Sequence, residues 1–257
     1  MMAVLPPIDA HAHVLTSIDG RELRALRSVV FAVTRDPTEW EAAAARQDEL
    51  CIWGLGCHPK VASAVPRFDA DRLAELASST PLIGEVGLDG GSTVPMAQQR
   101  SAFRGALEVA RDQSRLVSIH SVRAASTVLD ELESVGDVKG AILHWWRGNT
   151  SETARAIELG CFFSLNGAEV ARPKVLSALP VDRVLTETDF PHTRRSDNAA
   201  DRPGVVTTIE HALGEAWELS GDDVRRHLWR NFAGICASTG TSSLMPRRVQ
   251  GSLLAVR

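Results

Sequence analysis

Short apolar runs alternate with longer amphipathic stretches from one end of the chain to the other. The runs fall at residues 7–13 (PIDAHAH), 28–33 (SVVFAV), 51–58 (CIWGLGCH), 81–89 (PLIGEVGLD), 116–121 (LVSIHS), 140–146 (GAILHWW), 160–166 (GCFFSLN) and 183–189 (RVLTETD). Between them, stretches with helical periodicity cover 37–50, opening at Asp36-Pro37, then 68–79, 95–113, 122–135 and 150–159; two more, 204–219 and 222–237, follow the last run. Such alternation predicts a parallel sheet, and eight runs match a single (β/α)8 barrel of the α/β class. No low-complexity block or long-period repeat interrupts it.

Length and composition are consistent with that picture. A chain of 257 residues, 44% of them hydrophobic, can bury one sizeable core, so one domain over 1–237 is expected. The tail, 238–257, is rich in Ser, Gly and Arg with weak periodicity, and is expected either to be poorly ordered or to pack as a short extension. The first residues, Met-Met-Ala-Val-Leu-Pro-Pro, lack the charged start and long apolar run of a secretory signal, and no stretch approaches the roughly 20 apolar residues of a membrane span, so a cytoplasmic protein without a membrane partner is expected. Cys51, Cys57, Cys161 and Cys236 form no CxxC pair, which points to reduced, buried thiols rather than a zinc knuckle or a disulfide framework. The net charge of −4 argues against an extended basic groove, while leaving room for an enzyme that grips a few phosphates.

The ionisable residues carry the chemistry. His11, His13, His58, Glu85, Asp89, His120, His144, Glu187 and Asp189 all fall near the C-terminal ends of proposed strands, the face where barrels of this kind hold their active sites. His11 and His13 are two apart, so on a regular strand both project to one face and can ligate one ion. An HxH pair alone is equally compatible with hydrogen-bonded core histidines. Glu85 lies in an apolar strand with small neighbours, where a carboxylate is costly to bury unless paired or bound to metal; Asp189 ends another strand under the same constraint. His120 and His144 close two further apolar strands, and each by itself could be a satisfied core imidazole. Four histidines and two carboxylates on one face are hard to explain in that way. Glu187 shares the parity of Asp189, either behind a metal ligand or in a structural ion pair.

The ordered set IDAHAH, GCHP, IGEVGLD, SIHS, ILHWW, CFFSLNG, LTETDFPH and NFAGIC, from Ile8 to about Cys236, resembles the motifs of TatD-like deoxyribonucleases within the amidohydrolase barrel superfamily. The resemblance implies two divalent ions, one held by His11, His13 and Asp189, the other by His120 and His144, with Glu85 bridging. It puts His58 near a substrate phosphate and Asp89 behind the ligands. The three lysines, Lys60, Lys139 and Lys174, are not placed to form a carbamylated bridge, so that role falls to Glu85. Two ions about 3.5–4 Å apart activate a shared water and clamp a phosphodiester, with Asp189 accepting the proton of that water. A site rich in histidine accepts zinc, manganese, nickel or cobalt as well as magnesium, and the ligands do not name the ion.

The chain departs from the family pattern where substrate would be chosen: Ser121-Val122-Arg123 follow His120, Trp145-Trp146-Arg147-Gly148 follow His144, Gly90-Gly91 follow Asp89, and His192 stands where an aromatic residue is usual. Arg123, Arg147, Arg194, Arg195 and Arg202 fall in or near loops on the same face, either pairing with phosphates or as solvated charges. Trp145 and Trp146 have opposite parity, so one can face the site and stack on a base while the other packs. The expected activity is hydrolysis of DNA from an accessible single-stranded end by a monomer. Two rivals stand beside it: an amidohydrolase or phosphoesterase acting on a small molecule, and a weakly active nuclease-like subunit of a multi-protein system such as an antiphage defence assembly.

Overall fold

The structure is a computed structural model that describes residues 4–191 and 202–256. Its strands are β1 (Ile8–Ala12), β2 (Val29–Val33), β3 (Cys51–Leu55), β4 (Leu82–Gly87), β5 (Leu116–His120), β6 (Ala141–His144), β7 (Phe162–Leu165) and β8 (Val184–Thr186). The helices are α1 (Gly20–Leu26), α2 (Pro37–Ala43), α3 (Ala70–Ala77), α4 (Met96–Gln113), α5 (Ala125–Val135), α6 (Thr150–Glu158), α7 (Gly167–Val170), α8 (Pro173–Leu176), α9 (Thr207–Trp217), α10 (Gly221–Thr239) and α11 (Arg247–Ala255).

Neighbouring strands pair in parallel and in sequence order from β1 to β8. The two outermost strands also meet. A parallel bridge joins Ala12 to Phe190, the Asp189 N–H donates to the His11 carbonyl at 2.9 Å, and the His13 N–H donates to the Phe190 carbonyl at 2.7 Å. The sheet thus closes into the (β/α)8 barrel that the alternation predicts. Every strand residue is buried, as a parallel sheet covered on both faces requires.

The observed strands are shorter than the apolar runs at their C-terminal ends. Residues such as Gly56–His58, Leu88–Asp89 and Glu187–Asp189 leave the regular sheet while staying largely buried, because they line the mouth of the barrel. At the opposite end, the first or second residues of most strands, among them Ile8, Ile52, Leu82 and Leu116, form one apolar cluster with Trp229 and Phe232 of α10. The tail completes this cluster. Beyond α10 it turns into α11 and buries Met245, Val249 and Leu253 there. Within the NFAGIC motif, Asn231 donates its amide to the Val181 and Val184 carbonyls at 2.7 and 2.8 Å, tying α10 to the start of β8.

The four cysteines are buried. No helix among the described residues is long and apolar enough to cross a membrane.

Candidate metal centre

The mouth of the barrel gathers the strand-end residues around Glu85. Its position depends on glycine: a Cβ on Gly87, whose φ is +142°, would lie 2.1 Å from the His120 carbonyl oxygen, so only glycine lets β4 approach β5 this closely. Glu85 is thereby carried to His120.

The two oxygens of Glu85 face different histidines. Oε1 lies 2.6 Å from His120 Nδ1 and 2.8 Å from His144 Nε2. Oε2 lies 3.1 Å from His13 Nε2, 3.4 Å from His58 Nε2 and 3.6 Å from His11 Nε2. Asp189 Oδ1 closes the second side, 3.6 Å from His11 Nε2 and 3.9 Å from His13 Nε2. The His11 and His144 rings stack at 3.8 Å between centroids and join the two sides. Three ligand groups result, each with donor atoms within 4.8 Å of one another: His11, His13 and Asp189; His11, Glu85 and His144; and His58, Glu85 and His120.

Neighbouring residues orient the rings. His120 Nε2 is 2.9 Å from Asp89 Oδ2, which fixes the ring with Nδ1 toward Glu85 and His144. Asp89 is held in turn by the Gly91 N–H at 2.7 Å, with Lys60 Nζ at 3.5 Å. His11 Nδ1 bonds to Ser118 Oγ at 2.7 Å, which leaves Nε2 facing the carboxylates. His58 Nδ1 accepts the Lys60 N–H at 3.1 Å and aims Nε2 at Glu85.

The donor set fits a divalent cation. His11 Nε2, Glu85 Oε2 and His144 Nδ1 are buried without a hydrogen-bond partner among the described residues, a cost of about 1–3 kcal/mol for each such group. A cation bound by His11 Nε2 and Glu85 Oε2 removes that cost for both. The same crowding shifts the protonation equilibria of the group. Burial alone would raise the Glu85 carboxyl, but His58, His144, His120 and His11 hold it well below the usual range. Burial first, and the Glu85 charge second, push the Asp189 carboxyl up to about 7. Against the lowering effect of burial, Glu85 and Asp89 raise the His120 imidazole to about 9. Burial lowers His58 to about 4.

Every ligand position named from the sequence reaches this cluster. Glu187 sits behind it, accepting the Trp145 N–H at 3.0 Å, the Ser164 hydroxyl and, at 3.4 Å, the Asn166 amide, with Oε1 3.9 Å from His144 Nδ1. Its partners are thus mainly hydrogen-bond donors rather than a basic side chain. Arg123, Arg147 and Arg202 are exposed, Arg123 at the turn after β5 beside Gly90 and Gly91. A Cβ on Gly90 would lie 2.7 Å from the Arg123 carbonyl oxygen, which accounts for glycine at this position. Trp146 is buried against Phe163 while Trp145 is only half-buried. His192, Arg194 and Arg195 lie outside the described residues.

Asp9 and Ser118 were not singled out from the sequence. Asp9 is fully buried and accepts the Thr188 N–H at 2.8 Å, the Thr188 hydroxyl at 2.7 Å and the Gly204 N–H at 2.7 Å, which ties the residue before Asp189 to the residues before His11. Like Glu85, Asp9 in IDAHAH is a carboxylate inside an apolar strand, where its burial is costly unless it is bonded. We expect Asp9→Ala to weaken divalent-ion binding about 10–100-fold, read by competition with a fluorescent chelator. Unchanged affinity would make Asp9 a purely structural clamp.

Comparison with known proteins places the chain in a family. The sequence model of the family described as TatD related DNase matches residues 8–236. The uncharacterized metal-dependent hydrolase TatD of Mycobacterium tuberculosis is 26% identical over 237 residues, covering 81% of this chain and 89% of its own. The 3'-5' ssDNA/RNA exonuclease TatD of Cronobacter sakazakii is 30% identical over 201 residues, covering 73% of this chain and 76% of its own. In fold, the chain is similar to YJJV, a TatD homologue from Escherichia coli K12, with a TM-score of 0.78 at 19% identity over 89% of this chain and 97% of that one. A hydrolase from Entamoeba histolytica gives a TM-score of 0.72 at 14% identity over 90% and 98%. With the family match running from β1 through most of α10, the chain belongs to the TatD related DNase family.

Proposed function

We propose that this TatD-family hydrolase cleaves phosphodiester bonds of single-stranded DNA from an accessible 3′ end, using two divalent cations, zinc, magnesium or manganese, at the mouth of the barrel. The division of Glu85 carries the reading: one oxygen faces His120 and His144, the other His11 and His13. His11, His13 and Asp189 would hold one ion and His120 and His144 the other, with Glu85 contributing to both. The exonuclease name of the Cronobacter relative supports the substrate and the polarity.

When bound, the two ions lower the pKa of the attacking water and offset charge on the phosphodiester. The rest falls to side chains. Asp189, whose Oδ1 lies 3.6 Å from His11 Nε2 at the edge of the ligand group, takes the proton of the attacking water. Asp89 keeps the His120 ring in its ligating orientation. Glu187 holds the Trp145 backbone, and with it the turn that follows His144. His58, half-buried beside Glu85, together with the exposed guanidinium groups of Arg123 and Arg147, supplies polar contacts for phosphate oxygens.

Proton release should accompany ion binding. In the ion-free protein Asp189 holds a proton below about 7 and His120 below about 9, so cations displace protons near neutral pH. Affinity therefore falls as pH drops through 7, and titration calorimetry in buffers of different ionisation enthalpy should register net release. A pH-independent affinity would count against Asp189 and His120 as ligands.

The reading itself is tested by stripping the protein of metal, resupplying magnesium, manganese or zinc separately, and following 5′-labelled single-stranded and duplex DNA. Progressive shortening of the single strand that returns with metal is the expected result. Bound ions without cleavage of either substrate would transfer the assignment to a small ester or amide.

A further inference from the structure

Directly after the ligand His144 the backbone turns at Trp145 into the left-handed region, φ +40°, an uncommon conformation for an aromatic residue. Two contacts hold it there. The Trp145 N–H donates to the buried Glu187 at 3.0 Å, and the following loop folds over Trp146 so tightly that a Cβ on Gly148 would lie 2.1 Å from that indole. Packing is the task of Trp146, which is buried, donates its indole N–H to Thr153 Oγ1 at 2.9 Å and packs edge-on against Phe163. Trp145 instead stays half-buried at the mouth of the barrel and carries the Arg147 guanidinium over its ring at 4.7 Å. Exposed Arg35 and Arg72 each pair with a carboxylate, whereas no ion pair of Arg147 is found among the described residues. The π-face of Trp145 supports the guanidinium plane.

Glu169 is buried in the short α7 after β7 and set by the capping box with Asn166. Burial pushes its carboxyl up to about 7, opposed by the Asn166 backbone, the charge of Arg147 and the Trp145 side chain, so the three side chains form one local group.

We propose that Trp145 and Arg147 form a fixed stacking platform that recognises the nucleobase next to the scissile phosphate, making this chain selective for base-bearing single strands over bare phosphodiesters. The inference rests on the nuclease reading. Single-stranded bases stack on aromatic rings and on guanidinium planes, and a planar cation above an indole offers such a surface one residue from His144. Duplex DNA keeps its bases inside the stack and cannot use the platform until its end frays.

The test measures a ratio, which general damage to the fold or to ion binding leaves unmoved. Fluorescein-labelled oligothymidylate with cleavage-resistant phosphorothioate linkages is titrated against ion-loaded protein, beside the same oligonucleotide with abasic residues at its two 3′-terminal positions. The unmodified chain should prefer the base-bearing strand about ten-fold. Trp145→Leu should bring the ratio close to one, and Arg147→Lys, which keeps the charge but loses the plane, should reduce it. A ratio near one in the unmodified chain, or a ratio unmoved by both substitutions, overturns the platform. Failure of the nuclease reading appears elsewhere, as absence of cleavage of the ordinary phosphodiester strand by the same ion-loaded protein.

Discussion

Asp189→Asn is expected to lower turnover on single-stranded DNA by about 10²–10⁴-fold, the contribution of a positioned general base, while leaving the barrel folded. The substitution is close to isosteric, and Asn tolerates the left-handed backbone at this position, φ +47°, as well as Asp does. The hydrogen bond from its N–H to the His11 carbonyl belongs to the backbone and is kept. What disappears is the ionisable group. The sign of the stability effect follows from its raised pKa. In the ion-free protein Asp189 retains its proton up to about 7 whereas the unfolded chain loses it near the ordinary value of 3.8, so between those values rising pH subtracts stability. Ion-free Asp189→Asn lacks this loss and should unfold no earlier than the parent at pH 8. Turnover within a few-fold of the parent would remove Asp189 as proton acceptor, and chemical denaturation beside the kinetics separates that result from misfolding.

Glu85→Ala should act through the ions themselves. The carboxylate touches His120 and His144 through one oxygen and approaches His11, His13 and His58 through the other, so no other side chain among the described residues can take both parts. Fewer than two ions per chain should remain by elemental analysis. Turnover should fall by at least about 10³-fold, since an ion is worth several kcal/mol of charge stabilisation and each 1.4 kcal/mol is ten-fold. Glu85→Gln, which keeps an oxygen but not the charge, should bind ions better than Glu85→Ala and worse than the parent. Two ions bound by Glu85→Ala with undiminished affinity would exclude the bridge.

The parts of the fold that could be read in advance are those where burial dictates composition. Each parallel strand is covered on both faces, so each is a continuous apolar run, and the polar residues that end the runs stand out as the site. Elements with little burial gave no such signal. α1 buries only Leu23, and α7 and α8 are four residues each, too short for a helical period. α11 eluded the periodicity because its buried residues, Val249 and Leu253, are diluted by Arg, Gln, Gly and Ser.

Parity also failed where the strand is irregular. The β1–β2 register shifts between Asp9 and Ala12, so Asp9 turns to Thr188 and Gly204 while His11 turns to Ser118 and Glu85. For Trp145 and Trp146, parity predicts that only one faces the site but cannot say which, because the backbone leaves the strand at Trp145 in a left-handed conformation.

The closure of the barrel has a consequence for how ion occupancy can be followed. The seam between β1 and the residues after β8 is stitched by the amides of Asp189 and His13, and both residues also donate to the ligand group with His11. Parting the seam and dispersing that group are one motion, so a cation bound there clamps the barrel shut. Hydrogen exchange at these two amides then becomes a gauge of the ions, slow when the staple is in and faster when a chelator draws it out.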